Sequence, residues 1–236
     1  MRQCPQCVLL SVIMPVYNEH DTLKTIVQRV LSVNVPKELI IIDDGSTDDT
    51  RDVIRKLQQA HPGSIRAVFR EDNRGKGAAV RNGYEIASGD VCVVQDADLE
   101  LDPSEYERLL RPIIEDGADA VYGSRFADQA RLRLSASYLG NRFLTFLTNV
   151  LYGTRLTDME TCYKAIRTEV VNALALESDG FEIEPETTAK LALGGWRIHE
   201  VPISYDPRTR AEGKKMRWHD GIAAVRVLFR YRIRRP

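Results

Sequence analysis

Residues 39–48 read Leu39-Ile40-Ile41-Ile42-Asp43-Asp44-Gly45-Ser46-Thr47-Asp48, and this stretch decides the fold class. Leu39–Ile42 is an unbroken aliphatic run, as expected of a strand buried on both faces of a parallel sheet. Acids, a turn glycine and two hydroxyl residues follow at once, and Ser46 or Thr47 is placed to cap a helix running to about Gln59. Working outward, the same unit recurs. Val8–Met14 reads as a strand, followed by a helix over Asp21–Ser32 with Leu23, Ile26, Val27 and Val30 on one face. Downstream, strands are expected at Ser64–Phe69, Val91–Gln95 and Ala118–Tyr122. Helices are expected at Gly77–Ala87 and from Pro103 to about Ile114. Strands alternating with helices predict an α/β fold with a mostly parallel central sheet and helices on both faces.

After Arg125 the pattern changes. Leu139, Phe143, Phe146, Leu147, Val150 and Leu151 recur at helical spacing. A helix over Glu184–Leu193, a strand over Arg197–Tyr205 and a basic helix over Trp218–Ile233 complete the reading. The expected organisation is an extension at 1–7 and a single domain at 8–236, with a nucleotide-sugar half (8–125) and an acceptor half (126–236).

Composition fits a globular domain: 43% of the 236 residues are hydrophobic and 28% charged, with a formal net charge of -1. The basic residues gather at the end, from Arg208 to Arg235, which suits a phosphorylated ligand or an anionic membrane surface. No motif of a nucleic-acid reader accompanies them, and nucleic acid is not an expected partner. Four cysteines make no disulfide framework, and Cys4-x-x-Cys7 alone makes no zinc site. No run approaches the roughly 20 apolar residues needed to span a bilayer. The start carries no signal-peptide core, so a cytoplasmic protein, touching a membrane peripherally, is expected.

Ligands of open parallel sheets collect beyond the carboxyl ends of the strands. Three polar segments fall there: Pro15-Val16-Tyr17-Asn18-Glu19, Asp43-Asp44-Gly45-Ser46 and Gln95-Asp96-Ala97-Asp98-Leu99-Glu100. Asp96, Asp98 and Glu100 lie close enough in sequence to repel one another unless a cation holds them, and Mg2+ or Mn2+ suits such oxygen ligands. Asp43 or Asp44 can accept from a base edge or a ribose, Tyr17 can pack on the base and Glu19 can bind the ribose. Asn73-Arg74-Gly75-Lys76-Gly77 offers cations and free N–H groups at a helix start, where a diphosphate can be held. Neither a Walker sequence nor a G-x-G-x-x-G turn is present, which argues against a dinucleotide oxidoreductase.

These segments resemble the signatures of family-2 glycosyltransferases with the glycosyltransferase-A fold. The resemblance rests on Val12–Glu19, Ile41–Asp48 and Asp96-Ala97-Asp98. Gly75-Lys76-Gly77 and Tyr122-Gly123-Ser124-Arg125 are similar to the dolichyl-phosphate mannose and glucose synthase branch. The resemblance, from about Val8 to Tyr231, implies inverting transfer of a hexose from GDP-mannose or UDP-glucose to a polyprenyl phosphate. It assigns Pro15, Tyr17, Glu19, Asp43, Asp44, Lys76, Asp96, Ala97 and Asp98 to the nucleotide sugar. Asp96, Asp98 and Glu100 would hold the metal, and Arg125, Arg208 and Lys214 would bind phosphate. Asp98, Arg125, Arg208 and Lys214 then make up the expected catalytic set. Glu100 stands where the mannose synthases have glutamine, and Asp158–Lys164 departs from their usual segment. The hydrophobic membrane domains of some relatives are missing, which leaves a membrane-embedded partner protein as one means of attachment. The alternative is a hydroxyl acceptor on a glycan or envelope component, which needs a base, with Asp158, Glu160 and Glu184 the candidates.

Overall fold

The computed structural model describes residues 8–126, 136–207 and 218–233. Seven strands form one sheet, in the order β3-β2-β1-β4-β6-β5-β7. They are β1 (Leu10–Val16), β2 (Lys37–Asp43), β3 (Ile65–Phe69), β4 (Val91–Val94), β5 (Ala120–Ser124), β6 (Lys164–Arg167) and β7 (Ile198–Pro202). All neighbours run parallel except β6, which is antiparallel to both β4 and β5. The helices are α1 (His20–Ser32), α2 (Thr50–Ala60), α3 (Lys76–Ile86), α4 (Tyr106–Glu115), α5 (Ala136–Tyr152), α6 (Thr168–Leu174), α7 (Ile183–Leu193) and α8 (Trp218–Ile233).

The aliphatic run of β2 behaves as a doubly covered strand must. Leu39 and Ile41 belong to the main core, while Ile40 and Ile42 pack with Ala79 of α3. Successive side chains point to opposite faces, so helices cover both sides. Leu23, Ile26, Val27 and Val30 are all buried, as their spacing requires.

Pro15 lies in β1, a central strand, where a missing N–H normally costs a ladder bond. Here β4 pairs only Leu10–Ile13 of β1, so Pro15 falls where that neighbour has already ended. The proline is tolerated because it sits at the lip of the sheet.

The expected elements are present with ends shifted by a few residues. The helix at Pro103 begins as a short 3-10 turn, Pro103–Glu105, before α4. Ser46 and Thr47 do not cap α2: its N-cap is Asp49. Instead the Ser46 hydroxyl accepts from the Asn18 N–H at 3.0 Å, and the Thr47 N–H donates to the Asn18 side chain at 2.9 Å. These groups tie the loop after β2 to the loop after β1. Sequence periodicity missed β6 and α6, whose four and seven residues are too short to show a period.

In the second half of the chain α5, α7 and α8 pack on one another. The outer face of α5 leaves Leu139, Phe143, Phe146 and Val150 exposed, and α8 leaves Ile222, Phe229 and Ile233 exposed. No helix among the described residues is long and apolar enough to cross a membrane.

Candidate active site

The carboxyl ends of β1, β2, β4 and β5 place Pro15–Glu19, Asp43–Ser46, Gln95–Glu100 and Arg125 along one edge of the sheet. The adjacent acids Asp43 and Asp44 are both buried, and each is already engaged. Asp43 receives Arg51 Nε at 2.7 Å and the Ser46 N–H. Asp44 accepts the Arg74 and Gly75 N–H groups at 3.1 and 2.7 Å, with Arg70 3.3 Å away. The pair therefore orders two loops at this edge: Asp43 orders the β2–α2 turn, and Asp44 orders the loop that starts α3. The atom of Arg70 that faces Asp44 is Nη1, which is buried and makes an ion pair there without meeting hydrogen-bond geometry.

The glycines of Asn73–Gly77 have a specific use. Gly75 adopts φ +103°, and a Cβ there would lie 2.5 Å from the Asp179 carbonyl. The Ala78 N–H donates to that carbonyl at 3.0 Å, and Arg81 pairs with the Asp179 carboxylate. The loop at the start of α3 is thereby joined closely to residues 178–180.

Lys76 reaches across this junction. Its ammonium lies 2.8 Å from Asp96 and 3.5 Å from Glu184, in the first turn of α7. Burial works against the charge, but Asp96 and Glu184 outweigh it and raise the Lys76 pKa well above its ordinary value. Lys164 of β6 also pairs with Glu184 and lies over the Tyr122 ring.

Arg125 is held from the other side. Asp158, fully buried, accepts its N–H, Nε and Nη2 at 3.0, 2.7 and 2.8 Å. Burial opposes this cation too, and Asp158 raises its pKa above the usual arginine value. The guanidinium stacks on the Tyr205 ring, whose hydroxyl donates to Glu100 at 3.2 Å. A continuous chain of contacts thus runs from Asp158 to the acids after β4. Arg208 and Lys214 lie outside the described residues.

The pattern of a family is now visible in three strand-end segments brought to one sheet edge. The description "Glycosyl transferase family 2" matches residues 11–175. The chain belongs to glycosyl transferase family 2. Among similar proteins, a dolichol-phosphate mannosyltransferase of Pyrococcus furiosus is 30% identical over 214 residues, 87% of this chain and 58% of that protein. A polyprenol monophosphomannose synthase of Mycolicibacterium smegmatis is 32% identical over 209 residues, 84% of this chain and 77% of that protein. The chain thus spans less than two thirds of the length of the archaeal relative. Among solved structures, the glucosyl-3-phosphoglycerate synthase of Mycobacterium tuberculosis, in complex with Mn2+, uridine diphosphate and phosphoglyceric acid, superposes with a TM-score of 0.70 at 21% identity. That match covers 95% of this chain and 78% of that one. Its likeness establishes the glycosyltransferase-A type fold expected from the sequence.

Within this family-2 chain the acids after β4 are spread out rather than gathered. Asp96 faces Lys76, Asp98 accepts the Glu100 N–H at 3.1 Å, and Glu100 meets Tyr205. Among the described residues no three metal-binding side chains cluster, so the expected cage of Asp96, Asp98 and Glu100 is not assembled. The donor set still fits a hard cation that takes one or two carboxylates and completes its shell with phosphate oxygens, the usual manner of Mg2+. The family-2 site also contains a residue that the sequence offered only as a base. Glu160 is 8% exposed, and its Oε1 has no hydrogen-bond partner among the described residues. Burial pushes its pKa up to about 7, with Glu184 and Asp158 raising it and Lys164 and Arg125 opposing.

Proposed function

We propose that the chain transfers a hexose, with inversion, from a nucleotide-diphosphate sugar to a polyprenyl phosphate. The two polyprenol-linked synthases that resemble it support this acceptor. The observation that favours it over a hydroxyl acceptor is the state of the three candidate bases. Asp158 spends both oxygens on Arg125 and Glu184 is paired with Lys164 and Lys76, which leaves Glu160 alone, and burial favours its neutral form. A hydroxyl nucleophile needs an ionised base. A phosphate monoester is ionised near pH 7, its second pKa lying near about 6, and needs charge balance instead.

In this reading Asp44 and Arg70 bound the nucleotide end, with Pro15, Tyr17, Glu19, Asp43 and Ala97 lining it. Lys76 and the N–H groups of the α3 start face the diphosphate, where a helix N-terminus favours negative charge. Asp96 and Asp98 would hold Mg2+ or Mn2+, with Glu100 beside them. Bound there, the metal supplies charge stabilisation to the departing nucleoside diphosphate. Arg125, pinned by Asp158 and stacked on Tyr205, presents its remaining edge to the acceptor phosphate, and Arg208 and Lys214 complete the cationic set.

The test is release of nucleoside diphosphate from several donor sugars with Mg2+ or Mn2+, with and without polyprenyl phosphate. Release that depends on the lipid phosphate is expected, and the best donor names the sugar. Donor binding without lipid-stimulated release would move the acceptor to a hydroxyl.

The exposed apolar faces of α5 and α8 support a peripheral membrane contact close to a lipid acceptor. Phe143, Phe146 and Phe229 are 57%, 64% and 44% exposed. Tyr231, on the same helix, turns inward instead: its hydroxyl donates to Glu186 at 2.9 Å and its ring lies over Lys190. Arg226 on the outside of α8 is positioned to add roughly 1 kcal/mol at most against an anionic surface. The chain is expected to float with liposomes containing anionic lipid, and F143S/F146S to remain in the aqueous fraction. Wild-type protein that stays wholly soluble would remove the membrane contact from this account.

A further inference from the structure

Glu160 is a buried acid of this site with an oxygen that has no partner among the described residues. Around it, Arg125 is bound by Asp158, Lys164 by Glu184, and Lys76 by Asp96 and Glu184. Among the described residues these three cations are thus taken up by Asp96, Asp158 and Glu184, and none is paired with Glu160. A buried carboxylate without a partner is costly, and a proton removes that cost. A neutral carboxyl then has one O–H to give and needs an acceptor for it. The charged groups that bear on it belong to the proposed acceptor end: Arg125, at the end of β5, Asp158, two residues upstream, Lys164 of β6 and Glu184 of α7. Arg125 leads through Tyr205 to Glu100, and Glu184 leads through Lys76 to Asp96.

We propose that Glu160 carries a proton in the free protein and donates it in a hydrogen bond to the dianionic phosphate of the acceptor, beside Arg125. The inference rests on the lipid-phosphate reading above and assigns this residue a role opposite to that of a base. The proton stays on Glu160 throughout. A phosphate oxygen forms the bond to the anomeric carbon as the bond from that carbon to the donor diphosphate breaks. The electron pair of the broken bond leaves with the nucleoside diphosphate. The acceptor phosphate falls from two negative charges to one on becoming a diester, so the hydrogen bond that helped to bind it weakens as product forms. A carboxyl held neutral near pH 7 so that it can donate is an established device of oxyanion sites.

The experiment measures kcat and the KM for polyprenyl phosphate from pH 6 to 9 for wild type, E160Q and E160A. Thermal unfolding is followed over the same range to show that each variant folds. In wild type the KM is expected to rise up to tenfold per pH unit above about 7, as the donor proton is lost. E160Q, a neutral donor of similar shape, is expected to keep a low KM across the range with kcat changed by less than about threefold. E160A is expected to raise the KM at pH 6.5 by about tenfold or more, the loss of a hydrogen bond to a charged group. A hundredfold fall of kcat in E160Q would make Glu160 a base and overturn the proposal. So would an alkaline limb in E160Q identical to that of wild type. Absence of lipid-dependent transfer by the wild type itself would overturn the acceptor assignment, and with it the role of Glu160 toward a phosphate.

Discussion

Replacing Asp98 with alanine is expected to lower transfer to polyprenyl phosphate about a thousandfold while the protein remains folded, in line with the loss of one preorganised charge-stabilising group. Asp98 follows the buried end of β4 on a turn that is only partly covered, and it accepts the Glu100 N–H. Losing that bond costs little stability, because the freed N–H can turn to water. In the proposed mechanism, what is lost is a hard oxygen ligand at the position where the leaving diphosphate would gather charge. Asp98→Asn separates the two roles, since the amide oxygen still accepts from Glu100 but no longer carries the charge that attracts a divalent cation. Both variants should be inactive at ordinary Mg2+ or Mn2+ levels, and unfolding curves should overlie that of wild type. Activity retained by D98A at those levels would remove Asp98 from the metal site.

The largest effect on stability is expected at Asp158. Alanine there leaves the buried Arg125 guanidinium without the carboxylate that accepts two of its bonds, and the Arg125 backbone N–H without its acceptor. Removing one member of a buried ion pair typically costs 3–5 kcal/mol, roughly. For a chain of this size that lowers the Tm by about 10 °C. The double variant R125M/D158L removes both charges and should unfold closer to wild type, although it is expected to be inactive. A loss below about 1 kcal/mol in D158A would show that Arg125 has found another carboxylate, and Glu160 is the neighbour able to supply it.

Sequence and structure agree best where chemistry and backbone share one signal. An aliphatic run followed at once by acids and a glycine specifies both a buried strand and the ligand edge it ends on, so β1, β2 and β4 and their polar termini were legible. The acceptor half was not, for physical reasons. Lys164, buried in β6, reads as a surface lysine in sequence, and Glu184, 20 residues on, supplies the charge that makes its burial possible, with the Thr161 carbonyl and the Tyr122 ring beside it. Asp158 and Glu184 looked like bases because spacing reveals a carboxylate but not the cation that will neutralise it. The same limit applies to Asp43 and Asp44, whose proximity suggested ligand contacts while their partners, Arg51 and Arg70, lie 8 and 26 residues away in the chain. Conversely, the unclaimed oxygen of Glu160 can be found only by counting partners in space.

The reversed strand β6 has a consequence for how chains of this kind can change length. Because β6 runs against β4 and β5, its beginning, not its end, meets the ligand edge. The segment from Asp158 to Lys164 is therefore a fixed ruler between two anchored points: the Arg125 clamp at one end and a sheet register at the other. Tyr163 turns to Gln95, whose side-chain oxygen it reaches at 2.5 Å, and Lys164 turns to Glu184 on the opposite face. One residue added or removed would exchange those faces, placing an ammonium in the tyrosine's apolar pocket and a ring against the acids. Insertions that drift freely in the surface turns should be absent from this stretch, and diversity there should come by substitution alone.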